Sequence, residues 1–118
     1  MNKGLFVGSF DPFTIGHASI VRRALPLFDH IIIGVGVNER KKCMLSAEER
    51  VRRIKHLYAD EPKIEVKAYS DLTIDFARRE QATYIIKGVR SVKDFEYERE
   101  QADVNRLLSG VETIFLYA

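Results

Sequence analysis

Residues 3–25 read "KGLFVGSFDPFTIGHASIVRRAL". An apolar run, Leu5-Phe6-Val7, breaks at Gly8. A polar, turn-rich stretch follows from Ser9 to Gly16, and a helical pattern starts with His17. From His17 to Phe28 the residues Ile20, Val21, Ala24, Leu25 and Phe28 make one apolar stripe. Pro26 sits in the last turns and is expected to bend or shorten the helix. A short apolar strand, a loop and an amphipathic helix form the opening unit of an alternating α/β chain.

The same alternation continues. Strands are expected at Gly4–Gly8, His30–Val37, Ile64–Tyr69, Thr83–Lys87 and Glu112–Tyr117. "IIIGVGV", residues 31–37, is nearly continuous apolar sequence, as suits a strand covered on both faces. Helices are expected between the strands. One opens at Ser46, with Glu49 completing a capping box, and buries Val51, Ile54, Leu57 and Tyr58 ahead of Pro62. Another spans Thr73 to about Gln81, and a longer one follows Ser91 and ends at Gly110. The order predicts a Rossmann-like, doubly wound five-stranded parallel sheet with helices on both faces, as one domain over residues 1–118.

Composition narrows the function. The chain has 118 residues, 46% hydrophobic and 31% charged, enough for a real core. Net charge is only +2, from 19 basic and 17 acidic residues, which argues against a general nucleic-acid binder. No apolar run is long enough for a bilayer, and no signal peptide is visible. Cys43 is the only cysteine, so an internal disulfide is excluded and a cytoplasmic setting is expected.

In open α/β sheets ligands bind beyond the carboxyl ends of the strands. Four loops occupy those ends: "GSFDPFTIGH", "NERKK", "SDLT" and "KGVRSVKDFEYE". Three of them carry cations or a histidine. His17 heads the apolar stripe, so its plainer reading is a core histidine. It also follows Gly16 at a helix N-terminus, where free N–H groups and the helix dipole favour anions. That placement predicts a hydrogen bond from His17 to a bound phosphate. Ser9 is either a turn residue or a ligand of the same phosphate. Asp11 and Pro12 read as turn formers. Lys41 and Lys42 read as a solvated pair, yet their place after the second strand predicts that at least one is a phosphate ligand. Lys87 and Arg90 flank Gly88 at the end of the fourth strand. The last helix shows no clean apolar stripe; it reads as exposed, or as lining a polar site and a subunit interface. No nucleophile–base pair and no metal cluster stand out. A site that grips phosphates from several sides suits phosphoryl or nucleotidyl transfer, where positioning and charge stabilisation carry most of the catalysis.

"TIGH" after a strand, at the opening of a helix, resembles the glycine–histidine signature of nucleotidyltransferases related to class I aminoacyl-tRNA synthetases. With "GSFDPFTIGH", "NERKK", "SAEERV", "IDFAR", "IIKGVRSVKDFEYE" and "VNRLL", the chain over its whole length resembles the bacterial phosphopantetheine adenylyltransferase family. The resemblance implies transfer of AMP from ATP to 4′-phosphopantetheine, giving dephospho-coenzyme A and pyrophosphate. It also implies Mg²⁺ held mainly through ATP phosphates, a cytoplasmic homohexamer, and coenzyme A as a feedback inhibitor. Matched position by position, it implies that Ser9, Phe10, His17, Gly88, Val89, Arg90 and Glu98 bind ATP. Ser9, Lys41, Thr73, Lys87 and Asn105 would bind the phosphopantetheine side. His17, Lys41 and Arg90 would act in catalysis.

Three departures from the family stand out. Ser9 replaces its usual threonine. Lys87 replaces its usual arginine, keeping the charge but losing the bidentate fork. The family's serine-rich segment and C-terminal helical part are not in this sequence, so the fold is expected to stand while activity is impaired. The rival readings are another adenylyl- or cytidylyltransferase of the superfamily and a non-catalytic nucleotide- or coenzyme A-binding module.

Overall fold

The computed structural model describes residues 2–37 and 42–118. Five parallel strands form one sheet: β1 (Lys3–Gly8), β2 (His30–Gly36), β3 (Ile64–Tyr69), β4 (Tyr84–Val89) and β5 (Glu112–Tyr117). Their order is β3-β2-β1-β4-β5, so the chain winds outward from β1 to one edge, then returns to β1's other side. The strand order reverses between β1 and β4, and a crevice opens there at the carboxyl ends. The doubly wound parallel sheet read from the sequence is the fold observed.

Helices cover both faces. On one side α1 (Ile15–Ala24) and α2 (Ala47–Leu57) pack on Phe6, Ile31, Ile33, Val35 and Ile86. On the other, α3 (Thr73–Arg79) brings Phe76 and Ala77 onto Leu5, Val7, Ile32 and Ile85. The last helix, α4 (Val92–Ser109), lies on the α3 side, where Phe95 meets Phe115 edge-on at 5.1 Å and Arg78 donates to the Leu108 carbonyl at 2.7 Å. β2 is buried on both faces because alternate residues serve the two cores. Gly34 is part of that fit: a Cβ there would stand 2.7 Å from a ring carbon of Phe76.

The element ends differ from the sequence reading for local reasons. α1 begins at Ile15, two residues before His17, because the Thr14 hydroxyl caps it. It stops at Ala24, and Pro26 sits in a short 3₁₀ turn, Leu25–Leu27, so the shortening by proline is found. Ser46 caps α2 by accepting from the Glu49 N–H at 3.1 Å. The return half of that capping box is replaced: the Glu49 carboxylate faces Arg52 and Arg53 instead. Leu57, expected in the core, is exposed, whereas Arg50 is buried at 3% exposure. β4 runs on to Val89, which places Gly88 inside the strand.

Candidate active site

The crevice at the strand reversal is a cavity of about 830 Å³. β1 and its loop supply Val7, Gly8, Ser9, Phe10 and Asp11; α1 supplies Gly16 and His17. Lys87, Gly88 and Arg90 come from β4 and the residue beyond it, and α4 contributes Lys93, Asp94, Tyr97 and Glu98. A second cavity of about 380 Å³ lies beside it, toward β2 and β3, lined by Gly36, Val37, Tyr69, Ser70, Asp71 and Thr73. The two share Val7, Gly8, Ser9 and Lys87 as a common wall. Ser9 and Lys87 are therefore the polar side chains placed between them.

His17 is held by its own helix start. Position N3 of a capping box usually carries Glu or Gln. Here His17 takes that place: its Nδ1 accepts from the Thr14 backbone N–H at 2.9 Å, and its own N–H donates to the Thr14 hydroxyl oxygen at 3.4 Å. A ring nitrogen faced by an N–H donor carries no proton of its own. The neutral ring thus has its proton on Nε2, which is left to donate elsewhere. Burial lowers the His17 pKa below the usual 6.5, and the nearby Arg90 charge lowers it further. Phe10 sets the back of the ring edge-on at 5.0 Å, with Phe13 at 5.3 Å. His17 is thus partly embedded among aromatics and still lines the cavity; the core and ligand readings describe two sides of one ring. A Cβ on Gly16 would meet only the Thr14 hydroxyl, at 3.6 Å, so that side of the helix start is open to a ligand.

Two cations of the crevice, Lys87 and Arg90, are braced by carboxylates. Lys87 Nζ lies 3.6 Å from Glu98, and Arg90 Nε lies 3.7 Å from Asp94. Asp94 also accepts from the Arg90 backbone N–H at 3.2 Å. Such pairs are weak where exposed and exchange readily for a phosphate, which brings two negative charges and better acceptors.

The structure gathers Ser9, Phe10, His17, Lys87, Gly88, Arg90 and Glu98 around the larger cavity and places Thr73 in the smaller one. The Thr73 hydroxyl lies 3.1 Å from that of Tyr69, which stacks on Phe76 at 4.4 Å. Phe10 lines the cavity while buried almost completely, its ring packed edge-on against His17. Val89 and Asn105 line neither cavity: the Val89 carbonyl accepts from the Ala118 N–H, and the Asn105 carbonyl from the Ser109 hydroxyl. Lys41 lies outside the described residues. Sequence reading did not single out Thr14, Lys93, Tyr97 or Tyr69. The two α4 residues share a spacing of four with one another and of one with Asp94 and Glu98, a polar stripe that a search for apolar periodicity passes over. His30, at the start of β2, lies 3.6 Å from Glu65.

A crevice of about 830 Å³ beyond the strand reversal, with a helix N-terminus, a neutral histidine donor and three cations among the described residues, defines a nucleotidyltransferase-type site on a Rossmann-like sheet. The chain matches the family described as cytidylyltransferase-like over residues 5–116. It is 53% identical over 117 residues to the phosphopantetheine adenylyltransferase of Phocaeicola vulgatus, spanning 99% of this chain and 78% of that one. It is 54% identical over 115 residues to the enzyme of the same name from Porphyromonas gingivalis, spanning 98% of this chain and 75% of that one. The chain belongs to the phosphopantetheine adenylyltransferase family. Among solved structures, a lipopolysaccharide core biosynthesis protein from Thermoplasma volcanium shares the fold, with a TM-score of 0.71 at 16% identity over 99% of this chain and 95% of that one. So does a bifunctional NMN adenylyltransferase/ADP ribose pyrophosphatase from Francisella tularensis, at a TM-score of 0.70 and 18% identity over 98% of this chain and 37% of that one.

Proposed function

We propose that the chain transfers the adenylyl group of ATP to 4′-phosphopantetheine, giving dephospho-coenzyme A and pyrophosphate, a step of coenzyme A biosynthesis. The observation that carries this reading is the common wall of the two cavities, with Ser9 and Lys87 in it. Two phosphate-bearing substrates entering from opposite sides would meet at that wall. A phosphate oxygen of 4′-phosphopantetheine attacks the α-phosphorus of ATP in line. The new P–O bond forms as the bond to the β-phosphate oxygen breaks, and pyrophosphate leaves. No protein nucleophile is required, so the chain's task is to align two anions and offset their repulsion.

In this reading the nucleotide occupies the larger cavity, against Ser9, Phe10, His17, Gly88, Arg90 and Glu98, while Val89, which lines neither cavity, supports the strand end that carries Gly88. The Nε2–H of His17 donates to the α-phosphate as charge builds there. Lys87, with Lys41 and Arg90, supplies positive charge around the transferring group. Thr73, which lines the smaller cavity, belongs to the phosphopantetheine side. Mg²⁺ held by the ATP phosphates would supply further neutralising charge there. The donor set fits that mode: the carboxylates lining the cavity, Asp11, Asp94 and Glu98, are already engaged by N–H groups or cations. Mg²⁺ keeps most of its waters and suits phosphate oxygens better than such a set. A cytoplasmic hexamer, with coenzyme A as a feedback inhibitor, completes the proposal. No helix among the described residues is long and apolar enough to cross a membrane.

Pyrophosphate release tests the proposal. It should appear with ATP and 4′-phosphopantetheine together, and not with CTP or with nicotinamide mononucleotide as acceptor. Release with either substitute and none with the proposed pair would overturn it.

A further inference from the structure

Arg50 is the one buried charged side chain among the described residues. Burying a guanidinium is costly unless its N–H groups find acceptors. Its partners are informative. One terminal nitrogen donates to the Ser9 carbonyl at 2.7 Å and to the Gly36 carbonyl at 3.2 Å. Its Nε donates to the Ser46 carbonyl at 3.4 Å. Ser9 follows β1, Gly36 ends β2, and β1 and β2 pair side by side with Gly8 opposite Val35. A single planar group thus ties two neighbouring strand ends to the cap of α2.

Asp11 makes the same connection from the other side. Its carboxylate accepts from the Met44 N–H at 2.6 Å and from the Leu45 N–H at 2.8 Å. Burial pushes its pKa up, but those two N–H groups, the Arg50 charge and the Cys43 thiol outweigh this and keep it low. Between Ser9 and Asp11 stands Phe10, with a φ of 49°, a left-handed conformation that non-glycine residues rarely adopt. Such a backbone persists only where its surroundings over-determine it. Here Arg50 holds the carbonyl before Phe10, the core holds its ring, and Asp11 anchors the residue after it.

We propose that Arg50 and Asp11 form a clasp that positions the Ser9 loop against the end of β2, making both of them positioning residues for adenylyl transfer. This rests on the functional reading above. Neither side chain needs to touch the reacting atoms. The clasp sets the direction of the Ser9 N–H and hydroxyl in the wall between the cavities, which a flexible loop would not do.

Two variants test it, and their unfolding midpoints are measured alongside. Arg50→Lys keeps the charge but loses the fork that reaches three carbonyls. Asp11→Asn keeps the shape but sets an NH2 donor against one of the two backbone N–H groups, which loses its acceptor. Each is expected to lower kcat on the order of tenfold or more at equal folded fraction, with little change in either KM, because misalignment acts on the reacting geometry. The double variant should lose less than the product of the single losses, since both act on one loop. Wild-type kcat in Arg50→Lys, or losses that multiply in the double variant, would overturn the clasp. Should the wild-type chain release no pyrophosphate, the functional reading fails on its own. The clasp is then judged by amide hydrogen exchange of residues 9–11, which should quicken about tenfold in both variants at equal global stability; unchanged exchange would overturn it.

Discussion

The backbone N–H of Thr14 points at Nδ1 of His17 across 2.9 Å, so the same contact that starts α1 also decides which nitrogen of the histidine carries the proton. Helix capping and chemistry are joined in one pair of residues. Protonating His17 at Nδ1 would set two N–H donors against each other. The ring is therefore built to be a neutral donor through Nε2.

His17→Ala should lower kcat about 10²–10³-fold, the usual loss for one donor to developing transition-state charge, with smaller changes in both KM values. Steady-state kinetics with each substrate varied in turn checks this. Weakened ATP binding with unchanged kcat would remove His17 from the chemical step.

The tautomer argument also predicts a pH dependence. The folded-state pKa of His17 lies below the usual 6.5, through burial first and Arg90 second. The folded state therefore prefers the neutral ring. The associated stability is fully present above the unfolded value and is lost as pH falls through the lowered folded one. Activity should persist below pH 6.5 and decline once the ring protonates. An NMR titration of His17 should give a value below 6.5, and Arg90→Ala should move it upward. A value above 6.5 would contradict this account.

Thr14→Ala removes the hydroxyl that caps α1 while leaving the backbone N–H that faces Nδ1. Loss of such a cap costs about 1 kcal/mol, which urea unfolding resolves. Turnover should fall less than in His17→Ala, because the ring keeps its main-chain partner.

Lys87→Ala should impair the use of both substrates, since Lys87 lines both cavities. Saturating ATP should not restore the rate. Full recovery at high ATP would confine Lys87 to the nucleotide side.

Away from the site, Gly34→Ala should destabilise the fold by roughly 1–3 kcal/mol, because the added methyl meets the buried Phe76 ring in a packed core. Chemical denaturation of the variant checks it.

The alternation of apolar runs and amphipathic stretches was enough to show five strands, four helices and the parallel sheet, since periods of two and 3.6 residues are properties of local sequence. It also marked His17, Lys87, Gly88 and Arg90, because residues just past strand ends in such sheets face the ligand. Arg50 was not legible. A basic residue in a helical "EERVRR" run looks solvated until the Ser9 and Gly36 carbonyls are seen beside it. Leu57 misled for the matching reason: its spacing suits the stripe, but the sheet lies under the face that carries Ile54 and Arg50.

By itself the sequence determined the class of fold, the likeness to the phosphopantetheine adenylyltransferases and the identity of most polar groups at the crevice. These follow from near neighbours in the chain: turn residues, periodicity and short motifs. Only the tertiary structure decided that Ser9 and Lys87 stand in a wall between two cavities, that Asp11 and Arg50 hold one loop from two sides, and that Asn105 lines neither cavity. Those relations join residues far apart in sequence. They are set by how strands pair and helices pack, which no local pattern encodes.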